Sequence, residues 1–376
     1  MAKKPIPEGW DSNLRPILIF ISYFCLCLSL TVFIIGKLAT SYYVLAKSKT
    51  ASIPPRKHVL LFIFLAISSL ATTWYHMVRY FQWSYNMWVM WRSFYELTPD
   101  EKHWGLWLRH TSLFKEAWEI AIIGHARYWW THQIFLFACG LGLALEQKGI
   151  RRGIKHTWAF MLLGQIVAIS FATNLFLLSL LVSPPPIPNR TRTAGLKGGG
   201  WLPPWLISAL AVLLTVWPAY KLGSEDLWHS EEFMLPLLIP HIALMVLPIA
   251  RAIVPPRYFT DGDITFSDRV YRYLWITTMG CGVMLWLRET VRAHRYSGFI
   301  GIYSAIMEHP AVTSVGWDVI CCWISWVAWW TIQQQTPDDS VGSKDGSAEG
   351  KESELESVRL GSSVSGNALG GEVRRR

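Results

Sequence analysis

Eight long stretches of apolar residues set the strongest limit on how this chain can fold. Most of them approach the ~20 residues that an α-helix needs to cross the ~30 Å hydrocarbon layer of a bilayer. Lipid offers the backbone no hydrogen-bond partners, so a stretch of this kind forms a helix rather than an irregular loop. The sequence therefore predicts an all-α, polytopic membrane helix bundle with about eight transmembrane helices. The predicted spans cover residues 16–36, 59–78, 130–146, 157–182, 204–220, 233–250, 270–287 and 311–332.

Two regions outside these spans differ sharply in composition. Residues 81–129 are too polar to cross a membrane but are rich in tryptophan, and the part from Trp104 to Gly124 has helical spacing. We predict that this part is an interfacial helical segment between the second and third spans, lying along the membrane or capping the bundle. From residue 336 onward Ser, Gly, Glu and Lys dominate. The sequence thus predicts a membrane-embedded domain over residues 1–335 and a disordered polar tail over residues 336–376.

The net charge of +9 does not indicate a nucleic-acid partner. Lys and Arg lie mainly in short connections beside apolar runs, as expected where positive charge retains a loop in the cytosol. Their distribution favours a cytosolic first and third connection and a lumenal fourth. The fourth connection contains Asn189-Arg190-Thr191, a glycosylation pattern that also arises by chance. We predict a multi-pass protein of the endoplasmic reticulum membrane, glycosylated at Asn189.

Asp318 is the acidic residue inside the last predicted span. An ionised carboxylate in hydrocarbon costs at least ~2.5 kcal/mol, and loss of water favours the protonated form. Five tryptophans share the span, and we predict that its neighbour Trp317 contacts the substrate. A neutral carboxyl group among indole rings is suited to protonating an alkene or an epoxide. The alternative is an acid that bonds a neighbouring helix for packing alone.

Glu116 and Glu119 form a second candidate for acid catalysis. They are three residues apart in the interfacial segment and share one helix face. Two carboxylates this close can raise one pKa and create a proton donor. Equally, they could form a solvated face paired with Arg109 or Lys115.

Four further polar residues lie within predicted spans and are candidates for binding a substrate: Asn174, Gln165, His132 and His241. Asn174 points away from a ridge of small residues on its span, so we predict that it faces a cavity or a second helix. His132 opens the third span, and His241 follows Pro240 in the sixth. For each of them an interhelical or backbone hydrogen bond is the structural alternative.

Several cofactor and metal motifs are absent from the predicted membrane domain. It has no aspartate-rich cluster for magnesium and diphosphate, no histidine array for di-iron, no dinucleotide fingerprint and no nucleophile elbow. We therefore predict no cofactor and no metal, and by elimination chemistry that a proton initiates.

Five tracts resemble one family of fungal enzymes. They read LFKEAWE at 113–119, YWWTHQ at 128–133, LEQKGIRR at 145–152, WAFMLLGQ at 158–165 and SFATNL at 170–175. The chain resembles the membrane-bound terpene cyclases of the ascofuranone, ascochlorin and macrophorin pathways over most of residues 100–330. The resemblance implies an isomerase-type enzyme that cyclises the farnesyl arm of a meroterpenoid without loss of diphosphate. Some members of that family act on a terminal epoxide and others on an olefin.

The sequence-based hypothesis is a cyclase in which Asp318, Glu116 or Glu119 protonates a farnesylated aromatic or cyclohexenone substrate. Tryptophan faces then stabilise the cation by ~0.5–2 kcal/mol each. Two other functions stay open. One is a lipid- or sterol-binding protein or carrier that uses the same cavity without chemistry. The other is an acyltransferase that uses His132 or His241 with Asn174.

Overall fold

The computed structural model describes residues 14–47, 53–91, 102–183, 201–259 and 264–335. In these ranges the chain forms eleven α-helices, together with a π-helical segment, Leu145–Gly149, and several 3-10 turns, which confirms the predicted all-α class. In chain order they are α1 (Arg15–Lys47), α2 (Arg56–Trp91), α3 (Trp104–His110), α4 (Leu113–Ile122), α5 (His125–Ala144), α6 (Thr157–Ile166), α7 (Ile169–Val182), α8 (Pro204–Leu222), α9 (Met234–Ile253), α10 (Ile264–Glu308) and α11 (Pro310–Gln335). The contacts described below all lie within residues 14–327; the end of α11, residues 328–335, belongs to a second unit. The predicted tail lies outside the described residues.

Within the described ranges, five helices are long and apolar enough to cross a membrane, namely α1, α2, α8, α9 with the turn before it, and α11. This finding agrees with a multi-pass integral membrane protein. The predicted count of eight spans is not confirmed.

The boundary between α2 and the following segment lies later than predicted. Residues 81–91 belong to α2 rather than to a non-crossing segment. The predicted helix from Trp104 to Gly124 is in fact two helices, α3 and α4. The split occurs at Thr111 and Ser112, where the Ser112 N–H donates to the Glu116 carboxylate at 2.7 Å. That bond satisfies one of the backbone donors left free where a helix begins.

The predicted span 157–182 is also wrong as a single helix. It is divided into α6, with 10 residues, and α7, with 14 residues. Neither Pro nor Gly stands at the break, which falls at Val167 and Ala168. The Tyr23 hydroxyl donates to the Ile166 carbonyl at 2.6 Å, so a residue of α1 satisfies one carbonyl at the end of α6. The break therefore depends on partners distant in sequence.

α5 and α10 pack as an antiparallel pair. The contacts run in opposite order along the two helices: a Cβ at Gly140 would meet the Trp275 ring at 3.5 Å, and the Trp129 indole donates to the Thr290 hydroxyl at 2.7 Å. Between them, a Cβ at Gly282 would lie 3.2 Å from Leu136. Small residues let helix backbones approach closely in this way.

The link from α10 to α11 is held by one ion pair and one histidine. The Arg127 Nε donates to Glu308 at 3.0 Å, and this bond lowers the pKa of the Glu308 carboxyl. Burial and the Arg127 charge lower the pKa of His309 to about 4, so its ring is neutral at pH 7. Its Nδ1 accepts the Ala311 N–H at 3.1 Å and thereby helps to start α11.

Gly223, which follows α8, offers a test of this packing. A Cβ there would lie 2.8 Å from the Tyr128 ring and 2.9 Å from the Glu289 carboxylate. Both side chains are fully buried, and the Tyr128 hydroxyl is bonded to the Ala219 carbonyl. We expect Gly223→Ala to destabilise the protein by about 1–3 kcal/mol, because the ring cannot move without losing that bond.

Thermal unfolding in detergent measures this effect. Gly280→Ala is the matched control, since nothing lies within 4 Å of a Cβ at that position of α10, and we expect it to be neutral or slightly stabilising. Equal melting temperatures for the two variants would contradict the packing described at Gly223.

Candidate functional site

A cavity lies where α2, α4, α5, α9 and α11 surround the break between α6 and α7. The volume of the cavity is about 130 Å³, smaller than the ~300–1,000 Å³ typical of ligand sites. Most of the lining is apolar. The polar side chains include Gln165 from α6, His241 from α9 and Asp318 from α11.

Asp318 combines burial with two hydrogen bonds from another helix. Only 8% of its surface is exposed. Its two carboxyl oxygens accept the backbone N–H groups of Ile169 at 3.0 Å and Ser170 at 2.8 Å. These are the first two residues of α7. The acid thus occupies the N-terminus of a helix, where free N–H groups and the helix dipole attract negative charge.

This arrangement has two chemical consequences. The backbone bonds fix the plane of the Asp318 carboxyl group and stabilise the anion that remains after a proton leaves. Each carboxyl oxygen also has a second lone pair, so the group can still carry a proton. The packing alternative is realised as well, because Asp318 joins α11 to α7.

Aromatic rings line the side of the cavity formed by α4 and α5. The Trp118 ring lies 6.0 Å from the Phe135 ring, measured between centroids. It lies at the same distance from the His241 ring, edge to face. Trp118 and Phe135 both line the cavity, whereas Trp317 is not part of its wall. Trp317 precedes Asp318 by one residue, which turns it about 100° around α11.

His241 lies on the cavity wall with its ring bonded to its own helix. Its Nδ1 is 2.8 Å from the Leu237 carbonyl oxygen. Gln165 lines the same cavity, and its amide nitrogen is buried without a hydrogen-bond partner. The structure therefore brings Gln165 and His241 together with Asp318.

The other predicted site residues lie elsewhere. Glu116 accepts the Ser112 N–H, and Glu119 pairs with Lys115 at 3.6 Å; neither glutamate lines the cavity. The contact with Lys115 is the one expected if these acids form a solvated face. It is worth little energetically at this exposure.

Asn174 and His132 are buried but not in the cavity wall. The Asn174 amide donates to the Ser69 hydroxyl of α2 at 3.1 Å. The sequence predicted that Asn174 faces either a cavity or a second helix, and the structure shows the second helix. His132 bonds the Tyr128 carbonyl at 3.0 Å through Nδ1. Asn189 lies outside the described residues.

Sequence reasoning gave no role to several residues that the structure makes prominent. Glu289 of α10 is fully buried, with its carboxylate 3.0 Å from the Arg288 guanidinium. Arg288 and Arg292 flank Glu289 in the sequence, and such a group of charges is typical of a solvated helix face. The sequence therefore does not indicate that Glu289 is buried. Trp118 lies between Glu116 and Glu119 in α4. A large aromatic residue between two acids was the one feature of the sequence that indicated an aromatic ring in the cavity wall.

The fold and the cavity define a helical protein with several membrane-crossing helices and an internal, largely apolar site that holds one buried acid. Comparison of the chain with protein-family models, with curated proteins and with solved structures finds no match.

Proposed function

We propose that this protein is a membrane-bound terpene cyclase of fungal secondary metabolism. Its substrate would be the farnesyl chain of a meroterpenoid, with or without a terminal epoxide. The observation that carries the proposal is Asp318, a buried acid held by backbone N–H groups at the edge of a largely apolar cavity whose wall includes Trp118 and Phe135. The sequence resemblance described above supports the same reaction class.

The first step is proton transfer from Asp318. The proposal requires a neutral carboxyl group in the resting state. Loss of water in an apolar site favours that form, whereas the two backbone N–H bonds favour the anion. On an epoxide, the proton binds the oxygen, the C–O bond breaks, and the positive charge develops on the tertiary carbon. The Ile169 and Ser170 N–H groups already point at the carboxylate that this step leaves. Such preorganised donors lower the barrier because they need no reorientation during the reaction.

The second step is ring closure within the cavity. Each alkene attacks the cation in turn, so one C–C bond forms as one π bond is lost, and the charge moves along the chain. The Trp118 and Phe135 rings in the wall supply the aromatic faces that attract it, at about 0.5–2 kcal/mol each when desolvated. The apolar wall also excludes water that would capture the cation early. The product is an isomer of the substrate.

We also propose the finer topology and location. α5, the α6–α7 pair and the apolar part of α10 would complete a bundle of eight crossings in the endoplasmic reticulum membrane. Asn189 would then be glycosylated on the lumenal side.

The test uses microsomes that contain the full chain. They are incubated with a farnesylated phenol that carries a terminal epoxide, and the products are separated by chromatography and mass spectrometry. We expect a product of unchanged mass and new ring structure, absent from microsomes without the chain. Recovery of bound but unaltered substrate would overturn the proposal and favour a lipid carrier. Formation of an acyl ester in a parallel incubation that also contains an acyl-thioester donor would favour the acyltransferase alternative.

A further inference from the structure

The second ionisable side chain in the cavity wall, His241, has a defined protonation pattern. Its Nδ1 lies 2.8 Å from the Leu237 carbonyl oxygen. A carbonyl oxygen only accepts hydrogen bonds, so Nδ1 must carry the hydrogen. In the neutral ring Nε2 then has a free lone pair and acts as a base.

The ring is also held in position. Trp118 contacts it edge to face at 6.0 Å, and Phe114 does so at 6.5 Å, both from α4. Because Nδ1 turns back toward the backbone of α9, Nε2 is the nitrogen farther from its own helix. His241 and the preceding Pro240 both line the cavity that contains Asp318.

His132 resembles His241 in its hydrogen bonding but lies outside the cavity wall. It has the same kind of bond, from Nδ1 to the Tyr128 carbonyl at 3.0 Å. Its Nε2 is buried without a partner, but His132 does not line the cavity. A fixed tautomer alone therefore does not make a base for the reaction. The ring must also reach the cavity that contains Asp318, and His241 lines that cavity.

We propose that His241 is the catalytic base that ends the cyclisation, an inference that rests on the proposed function. A C–H bond next to the final cationic carbon breaks, and its electron pair forms the product alkene. The proton binds Nε2 of His241, which becomes an imidazolium ion. At that moment the cavity holds an Asp318 carboxylate and a His241 cation. Transfer of the proton back to Asp318 restores both groups, so the cycle needs no other acid, base or redox partner.

The test compares His241→Gln with the wild-type chain in microsomes supplied with the same farnesylated epoxide. Gln keeps a polar side chain but removes the base. We expect at least a tenfold loss of the normal product. We also expect early-terminated material to appear, either as alkene isomers or as water adducts heavier by one water molecule. His58→Gln, the same change at the first turn of α2 and outside the cavity, should retain the normal product.

A second variant keeps the test decisive if His241→Gln accumulates poorly. His241→Ala leaves room in the wall, and added imidazole should restore the normal product at least fivefold. Pyrazole, of the same size but a far weaker base, should not restore it. Wild-type product distribution from His241→Gln, or equal rescue by both compounds, would overturn the assignment. Either result would leave the cyclase proposal standing, because that proposal fails only if the wild-type chain forms no isomer.

Discussion

Replacing Asp318 by Asn should reduce conversion of the farnesylated epoxide at least ~10³-fold, since positioned acid catalysis contributes roughly 10²–10⁴ to a rate. The amide cannot donate a proton of comparable acidity. It also has one acceptor oxygen, whereas the carboxyl group receives two backbone N–H groups, from Ile169 and Ser170. One of these donors would lose its partner, so we expect a stability loss of about 1–3 kcal/mol beside the loss of turnover.

The two effects are separated by measuring product formation per folded protein. Membrane level and thermal unfolding in detergent give the folded fraction, and mass spectrometry gives the isomer. Asp268→Asn is the control, because Asp268 pairs with Arg151 and does not line the cavity. Wild-type turnover by the folded Asp318→Asn variant would remove Asp318 from the mechanism.

Replacing Arg251 by Met should cost about 3–5 kcal/mol of stability, the largest loss that we expect from a change outside the cavity. Arg251 of α9 forms an ion pair with Glu146, and their side chains are only 12% and 8% exposed. Removal of the guanidinium leaves the Glu146 carboxylate buried without its counter-ion. The measured quantity is the melting temperature in detergent.

A double variant tests the reason for that loss. In Glu146→Leu with Arg251→Met, no charge is left unpaired, so most of the lost stability should return, as it does when buried ion pairs are replaced by apolar residues. If the single variant melted like the wild type, the pair would not be buried as described. If the double variant were as unstable as the single one, packing of the Arg251 side chain, which also lies 4.2 Å from the Phe259 ring centroid, would be the cause.

Much of the helical architecture could be predicted from local patterns. Apolar runs without charges predict helices wherever they are long, because the backbone must bond to itself in an apolar medium. α8, α9 and α11 follow their predicted spans closely, whereas α1 continues to Lys47, well past the predicted end at residue 36. Asp318 stood out for the same reason, because a charge-bearing side chain within such a run is costly.

The composition of the cavity was less accessible to sequence reasoning. Tryptophan abundance predicted indole walls, but the rings in the wall come from α4 and α5, as Trp118 and Phe135, and not from the helix that carries Asp318. His241 was a predicted site residue, but the sequence does not show which ring nitrogen keeps a free lone pair. That depends on the hydrogen bond between Nδ1 and the Leu237 carbonyl oxygen. Which side chains line the cavity depends on how the helices pack against one another. The periodicity of a single helix does not predict that packing.

The sequence by itself determined that the chain is a helical membrane protein and that Asp318 is an unusual acid, since both follow from the cost of placing polar groups in hydrocarbon. The tertiary structure alone decided that the run 157–182 breaks between α6 and α7, because Val167 and Ala168 are not helix-breaking residues. A break exposes backbone donors and acceptors, and it persists only where other groups satisfy them. Here Tyr23 supplies a donor at one end and Asp318 supplies acceptors at the other.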